Sequence, residues 1–367
     1  MPSPGAPDRP FDFEDRARGQ RVIFGTGRAG VLLPDVLATL GARAVMVIGT
    51  RRELERSASV LDGIRPALVW DEVEQHVPVE LAGRATRAAQ GAGVDALVAI
   101  GGGSAIGLAK AIALRPRPRS LPIVAVPTTY SGSEATSTWG LVERGVKTTG
   151  VDPRVLPAVI VYDAELTRSL PRGLSVSSGL NALAHAVDAF WAPNASPSTD
   201  LAAVAAIRML AAALPLVACD PDSLTGREDA LRGANLAASV FSAAGSGLHH
   251  RISHVLGGTF GLPHSETHAV VLAHVVAFNA PAAPGAEVQI AAALGAPTAV
   301  GGLIALRDRL HAPTALRELG LRESDIPAAV EQILAVVPAS NPRLVTRGDL
   351  TALLRAAWAG QAPDSPA

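Results

Sequence analysis

Six of the nine histidines in this 367-residue chain fall between His249 and His274. A lone histidine is usually a core residue satisfied by a carbonyl, but a concentration of this kind points to chemistry. His250 and His254 sit four apart and share one face of a helix. His264 follows Pro263 and is close enough to fold back across a loop. Upstream, Asn181 and His185 repeat the four-residue spacing in a segment that reads as helical. Three such imidazoles with one further ligand could hold a divalent metal. Without a metal they could donate protons and recognise anions. Spacing leaves both readings open. Burial against carbonyls remains the simpler expectation for His268, His274 and one of the pair His249/His250.

A second chemical signal lies earlier. An apolar strand over 96–100 runs into Gly101-Gly102-Gly103-Ser104, and a helical pattern follows from Ala105 to Leu114. Glycines at a strand-to-helix turn let backbone N–H groups approach an anion without Cβ obstruction, and the helix N-terminus adds the positive end of its dipole. A pyrophosphate fits, although the spacing departs from G-x-G-x-x-G. The next apolar run, 123–126, ends in Pro127-Thr128-Thr129-Tyr130-Ser131-Gly132-Ser133-Glu134. Ligands of open α/β sheets bind beyond the carboxyl ends of the strands, so two adjacent anion-friendly loops reinforce each other.

These loops need a frame to hold them. Short β-branched runs at Arg21–Phe24, 44–48, 66–70, 96–100, 123–126 and 158–161 alternate with helical patterns such as 29–40, 52–61 and Val79–Gly91. That alternation predicts an α/β, mostly parallel, Rossmann-like dinucleotide-binding domain over 11–163. Beyond it, Ala/Leu-rich segments such as 180–190, 198–214, 227–244 and 314–319 predict an all-helical domain over 164–360. Tails are expected at 1–10 and 361–367. The chain length suits two domains. A formal net charge of −1 gives no reason to expect nucleic acid or an anionic membrane surface as a partner. The single cysteine fits a reducing cytoplasm. The N-terminal stretch lacks the pattern of a signal peptide, and no apolar stretch escapes interruption by Gly, Pro or charge over a membrane-spanning length.

Gly101-Gly102-Gly103-Ser104 with Gly107, Ala109 and Lys110, then Pro127-Thr128-Thr129, the Asn181/His185 pair, and His250, His254 and His264 together resemble the iron-containing alcohol dehydrogenase superfamily. Within it the chain is similar to maleylacetate reductases, in Thr128 to Glu134, Lys147-Thr148-Thr149, Gly179 to His185, Leu248 to Arg251, His254 to Phe260, Leu262-Pro263-His264 and Glu266-Thr267-His268. The resemblance runs from about Phe11 to Gly360. It implies an active site in the cleft between the two domains. Gly102, Gly103 and Ser104 are then expected at the pyrophosphate, Thr128, Thr129, Ser133 and Thr136 at the nicotinamide, and Lys147 at the ribose. Metal-dependent members carry an aspartate where this chain has Asn181, beside ligands corresponding to His185, His250 and His264. An amide is a weaker, neutral oxygen donor, so no bound metal is expected.

The resemblance further implies NADH- or NADPH-dependent reduction of a small dicarboxylate, maleylacetate, to 3-oxoadipate in aromatic-compound degradation, by a cytoplasmic homodimer. His254 is the first choice for polarising the ketone or donating a proton, with His250 and His264 assisting. Asn181, His185 and Arg251 are candidates for orienting substrate, and Tyr130 with the stretch Ser137-Thr138-Trp139 for shaping the pocket. The strand over 44–48 ends in Gly49-Thr50-Arg51-Arg52, where an acidic residue usually marks exclusive NAD use. Thr50 and Arg51 are therefore expected near a 2′-phosphate, and NADPH is expected to be accepted. Rival readings are a metal-dependent alcohol or aldehyde dehydrogenase, a reductase of another enone or keto-acid, a lyase resembling dehydroquinate synthase, and a non-catalytic binding protein.

Overall fold

The strands β3 (Val45–Ile48), β5 (Ala96–Gly101), β6 (Ile123–Pro127) and β9 (Val159–Tyr162) are buried along their whole length, as parallel strands covered on both faces must be. The computed structural model describes residues 13–15, 19–115, 121–144 and 146–363, without the side chains of 13–15, 146 and 147. The expected tail over 1–10 and residues 364–367 of the other lie outside the described residues. With β1 (Phe13–Asp15), β2 (Arg21–Phe24) and β4 (Leu68–Trp70), these strands form one sheet in the order β1-β2-β9-β6-β5-β3-β4. Only β1 runs antiparallel to its neighbour. That acidic edge strand, Phe-Glu-Asp, is too short and polar to stand out in the sequence.

Alternate residues of each strand feed two cores. Met46, Ile48, Leu97 and Ala99 pack on one face under α4 (Val79–Gly91) and α5 (Gly103–Leu114). Val45, Val47, Val98 and Ile100 pack on the other with α1 (Ala29–Thr39) and α3 (Ala58–Leu61). The expected single helix over 52–61 is broken at Ser57 into α2 (Arg51–Arg56) and α3. The break lets α3 press on α1, where a Cβ on Gly30 would stand 2.6 Å from the Ser59 carbonyl oxygen. The chain leaves β3 toward one edge of the sheet and leaves β5 toward the other. A crevice therefore opens at the carboxyl ends of these two strands.

The second half is helical: α6 (Ala164–Thr167), α7 (Arg172–Asp188), α8 (Pro197–Cys219), α9 (Leu224–Ala244), α10 (Leu248–Phe260), α11 (His264–Asn279), α12 (Pro284–Leu294), α13 (Ala299–Arg309), α14 (Ile326–Leu334) and α15 (Arg347–Ala359). Its core is continuous with Val22, Phe24, Ile160 and Tyr162 at the near edge of the sheet. Helix α7 starts well before the expected position 180. It is buried at every position from Ser175 to Asp188, so no polar stripe marks where it begins. The expected helix over 314–319 is only a 3-10 turn, Leu316–Leu319. Helix α8 and the stretch Pro284–Arg309 are long and apolar enough to cross a membrane by length and composition. The first, however, buries Ala203, Ile207, Leu210 and Leu214 in the helical core, and Gly295 in left-handed conformation divides the second.

One element has no counterpart in the expectations. The hairpin of β7 (Thr138–Glu143) and β8 (Val146–Val151) stands apart from the main sheet. Its glycines hide it from a hydrophobic pattern. The Trp139 ring lies over Gly150, where a Cβ would come within 2.6 Å of it.

Candidate active site

The crevice opens into a cavity of about 600 Å³ between the two halves. Its sheet-side wall begins at the β5–α5 turn. Gly101 has φ 143, and a Cβ there would meet the Glu53 carboxylate at 2.8 to 2.9 Å. A Cβ on Gly102 would press to 2.8 Å on the Thr129 methyl. Only glycine fits this turn. Helix α5 follows with Gly102 as N-cap and no side-chain cap, so its first N–H groups stay open to the cavity beside Gly103, Ser104 and Ala105. An uncapped helix start behind a glycine turn is an anion site in need of an anion.

Lys110, two turns along α5, is completely buried and also borders the cavity. Its Nζ donates to the carbonyls of Ser133, Thr136 and Thr138 at 2.6, 2.8 and 2.8 Å, with Thr136 Oγ1 at 3.1 Å. Burial draws its pKa down to about 7, and the charge of Glu134 opposes that fall. Three carbonyl acceptors nonetheless require the three N–H bonds of the ammonium form. One side chain thus ties the glycine-turn helix to the loop after β6.

The opposite wall is built by α7, α10 and α11. Asn181 and His185 on α7, His250 and His254 on α10, and Pro263 to Glu266 at the head of α11 all line the cavity. The His185 and His250 rings stack with centroids 4.9 Å apart, and Phe241 lies 4.8 and 4.5 Å from them. His254 stands 6.1 Å from His250 and 5.9 Å from His264, ring to ring. Behind this wall Asp188 accepts hydrogen bonds from His250 Nδ1 and Trp191 Nε1, each at 2.8 Å, and from the backbone N–H groups of His249 and His250. Burial alone would raise the Asp188 pKa, but the hydrogen bond and the charge of His250, with further help from His249 and Trp191, lower it to about 2. A carboxylate accepting from Nδ1 fixes that proton and leaves Nε2 for a ligand.

Among the described residues, the buried polar atoms of the cavity lining without a hydrogen-bond partner include Ser131 Oγ, Asn181 Oδ1, His185 Nδ1 and His250 Nε2. Burial, reinforced by His250, keeps the His185 pKa well below the usual value. His249 and His268 stay behind the wall, joined at 2.8 Å, and burial likewise lowers both, His249 to about 3. They and the buried His274 do not line the cavity.

The structure thus brings together Asn181, His185, His250, His254 and His264 with Gly102, Gly103, Ser104, Thr129, Ser133, Thr136 and Thr50. Other expected residues lie elsewhere. Tyr130 is fully buried and its hydroxyl meets Arg227 Nη1 at 3.2 Å, so it supports the core and does not shape the pocket. Arg251 follows His250 by one residue, about 100° around the helix, and does not line the cavity. Thr128 is buried below the turn, its hydroxyl 3.4 Å from Glu53 Oε1. Arg51 is exposed and paired with Asp71 at 3.1 Å, outside the cavity. Lys147 falls in β8, with its side chain outside the described residues.

Several residues escaped the sequence reading. Glu53 lines the cavity as the N3 residue of a capping box with Thr50, so an acidic group does stand near the end of β3, one helical turn later than expected. The Thr-x-x-Glu spacing was the available signal. Asp188 could have been read from its place three residues after His185. His76, Phe241 and Glu266 also line the cavity, and no local pattern marks them, whereas Thr138 and Trp139, expected to shape the pocket, do line it.

Two family models match the chain: the iron-containing alcohol dehydrogenase model over residues 19–164, and the C-terminal model of the Fe-containing alcohol dehydrogenase family over 175–358. The chain is 43% identical to a maleylacetate reductase of Pseudomonas sp. (strain P51), covering 94% of this chain and 97% of that one. Among solved structures it is similar to an iron-containing alcohol dehydrogenase from Corynebacterium glutamicum ATCC 13032, at 51% identity and a TM-score of 0.90, covering 94% and 96% of the two chains. A maleylacetate reductase from Agrobacterium tumefaciens superposes with a TM-score of 0.87 at 38% identity, covering 97% and 100%. With both halves matched and the glycine turn and imidazole wall facing one cavity, the chain belongs to the iron-containing alcohol dehydrogenase family.

Proposed function

We propose that this protein is a nicotinamide-dependent oxidoreductase that reduces maleylacetate to 3-oxoadipate. One observation carries the reading: a single cavity joins an uncapped helix start behind a glycine turn to a wall of buried imidazoles. The 43% identity to a maleylacetate reductase over nearly the whole chain supports the choice of substrate.

When bound, the reduced nicotinamide supplies the hydride that adds to the C=C bond conjugated with the ketone. Gly102, Gly103, Ser104 and the open N–H groups of α5 would hold its pyrophosphate. Thr129, Ser133 and Thr136 would border the nicotinamide, with Thr50 at the far end. His254 polarises the ketone or donates the proton, assisted by His250 and His264. Asn181 and His185 orient the substrate from the helical wall of the cavity. The coenzyme is NADH or NADPH; Arg51 turns away to Asp71 and offers a 2′-phosphate no partner in the cavity.

The iron of the family name does not fit these residues. Asn181 offers a neutral oxygen, and the nearby carboxylate of Asp188 is committed to His250, Trp191 and the head of α10. Among the described residues no group of three or more His, Cys, Asp or Glu side chains is arranged to hold a metal. The enzyme acts as a homodimer on a small dicarboxylate in the cytoplasm, with no nucleic-acid or membrane partner.

The test follows NADH or NADPH oxidation by absorbance with freshly generated maleylacetate, before and after exhaustive chelation. Turnover that survives chelation supports the reading. A second reading, a metal-dependent alcohol or aldehyde dehydrogenase, is favoured by the 51% identity to the Corynebacterium protein. Activity on a short-chain aldehyde, lost on chelation and restored by iron or zinc, would select it.

A further inference from the structure

One more imidazole reaches the cavity, from the wall opposite the others. His76 lies between β4 and α4 and lines the cavity with Gln75 and Val77. Its backbone stands at φ 62 and that of Val77 at φ 51. Left-handed backbone is uncommon for histidine and a genuine outlier for a β-branched residue. Two such residues in succession persist only where their surroundings fix them, and such strain gathers at functional sites.

The surroundings do fix them. Val77 is buried, and its Cγ2 lies 3.0 Å from the place a Cβ on Gly107 would take, so α5 makes room for it with a glycine. The Val77 carbonyl accepts the Val142 N–H at 3.1 Å, and Pro78 forms a parallel bridge with the same residue of the hairpin. Across the cleft stands Gly257, inside α10. A Cβ there would lie 3.9 Å from His76 Cε1 and 3.9 Å from His264 Nδ1. The two rings, one from each half of the molecule, flank a helix position that carries no side chain.

Among the described residues no arginine lines this cavity, and Lys110 spends its N–H bonds on carbonyls. Imidazoles are then the remaining side chains of this cavity that can carry positive charge to a carboxylate. We propose that His76 is a specificity-determining residue that touches substrate. It holds one carboxylate of a dicarboxylate against the sheet half, while the imidazoles of the helical half hold the reacting end. The inference rests on the function proposed above, and it divides the recognition of one substrate between the two domains.

The test is His76→Asn, because asparagine tolerates left-handed backbone and removes the imidazole without adding strain. Turnover is compared for maleylacetate and for its two half-amides, with NADH binding followed by fluorescence titration. The expected result is a KM for maleylacetate raised ~10-fold or more, the size of a lost hydrogen bond to a charged group. NADH affinity should stay within about twofold, as expected for a residue that touches no coenzyme. The preference of the wild type for the diacid over one half-amide should collapse, while its preference over the other persists. An unchanged KM, or a loss shared equally by all three substrates, overturns the proposal. His76→Gly, which is also at ease at positive φ, must give the same pattern; a different one counts against it. If the wild type itself fails to reduce maleylacetate, the proposed function falls and this inference with it, an outcome distinct from an inert substitution.

Discussion

Asp188 Oδ2 and His250 Nδ1 lie 2.8 Å apart, both side chains withdrawn from solvent, in a pair where α7 meets the head of α10. The carboxylate also takes the Trp191 indole and two backbone N–H groups. It therefore orients a cavity-lining imidazole and caps a helix at once. Asp188→Asn keeps the shape but loses the charge. It should lower kcat by ~10- to 100-fold, the usual cost of an outer-shell partner of a working histidine. The unfolding midpoint in urea should fall as well. Normal turnover in Asp188→Asn would separate this pair from the chemistry.

His254→Ala should lower kcat by ~100-fold or more, in the range of a lost general acid, and leave coenzyme affinity nearly intact. Steady-state kinetics beside a fluorescence titration checks the split. Equal activity would remove His254 from the mechanism.

Lys110→Met should destabilise the fold by ~3 kcal/mol or more, because it strands three carbonyls and the buried Glu134 without their cation. Denaturant unfolding measures this. The loop after β6 should loosen with it, raising the KM for coenzyme.

Stability should decline in mild acid. Burial lowers the pKa of His249 to about 3 and of His274 to about 4, and holds His185 and His268 well below the usual value. The unfolded chain therefore binds more protons below pH 6.5, so the contribution of these groups is complete above that pH. It is lost as pH falls from 6.5 toward the folded values, at about 1.4 kcal/mol per pH unit for each group. Urea unfolding at pH 7.5 and pH 5 should show a clear drop. Equal stability at the two values would mean that these rings are already charged in the folded protein.

The sheet half was the more legible part of the sequence. Its strands announce themselves by β-branched runs, and the glycine turn after β5 by composition. Helix α7 was seen only in part, since a helix buried all round shows no period. The imidazole wall was found from spacing alone, because residues four apart on one helix must share a face. What supports the wall was not: Asp188 acts through tertiary contacts, and carboxylates are too common in a chain to stand out. Tyr130 and Arg251 erred in the opposite direction. Each adjoins residues of the site in sequence, yet turns toward the core or away along the helix.

The amide of Asn181 differs from a carboxylate by one heteroatom and one unit of charge, and it sits buried beside two rings that each keep a lone nitrogen unengaged. On the proposed metal-free reading, a single side chain in this scaffold separates an electrophile made of protons from one made of metal. A lineage could cross it in either direction without remodelling the backbone around it.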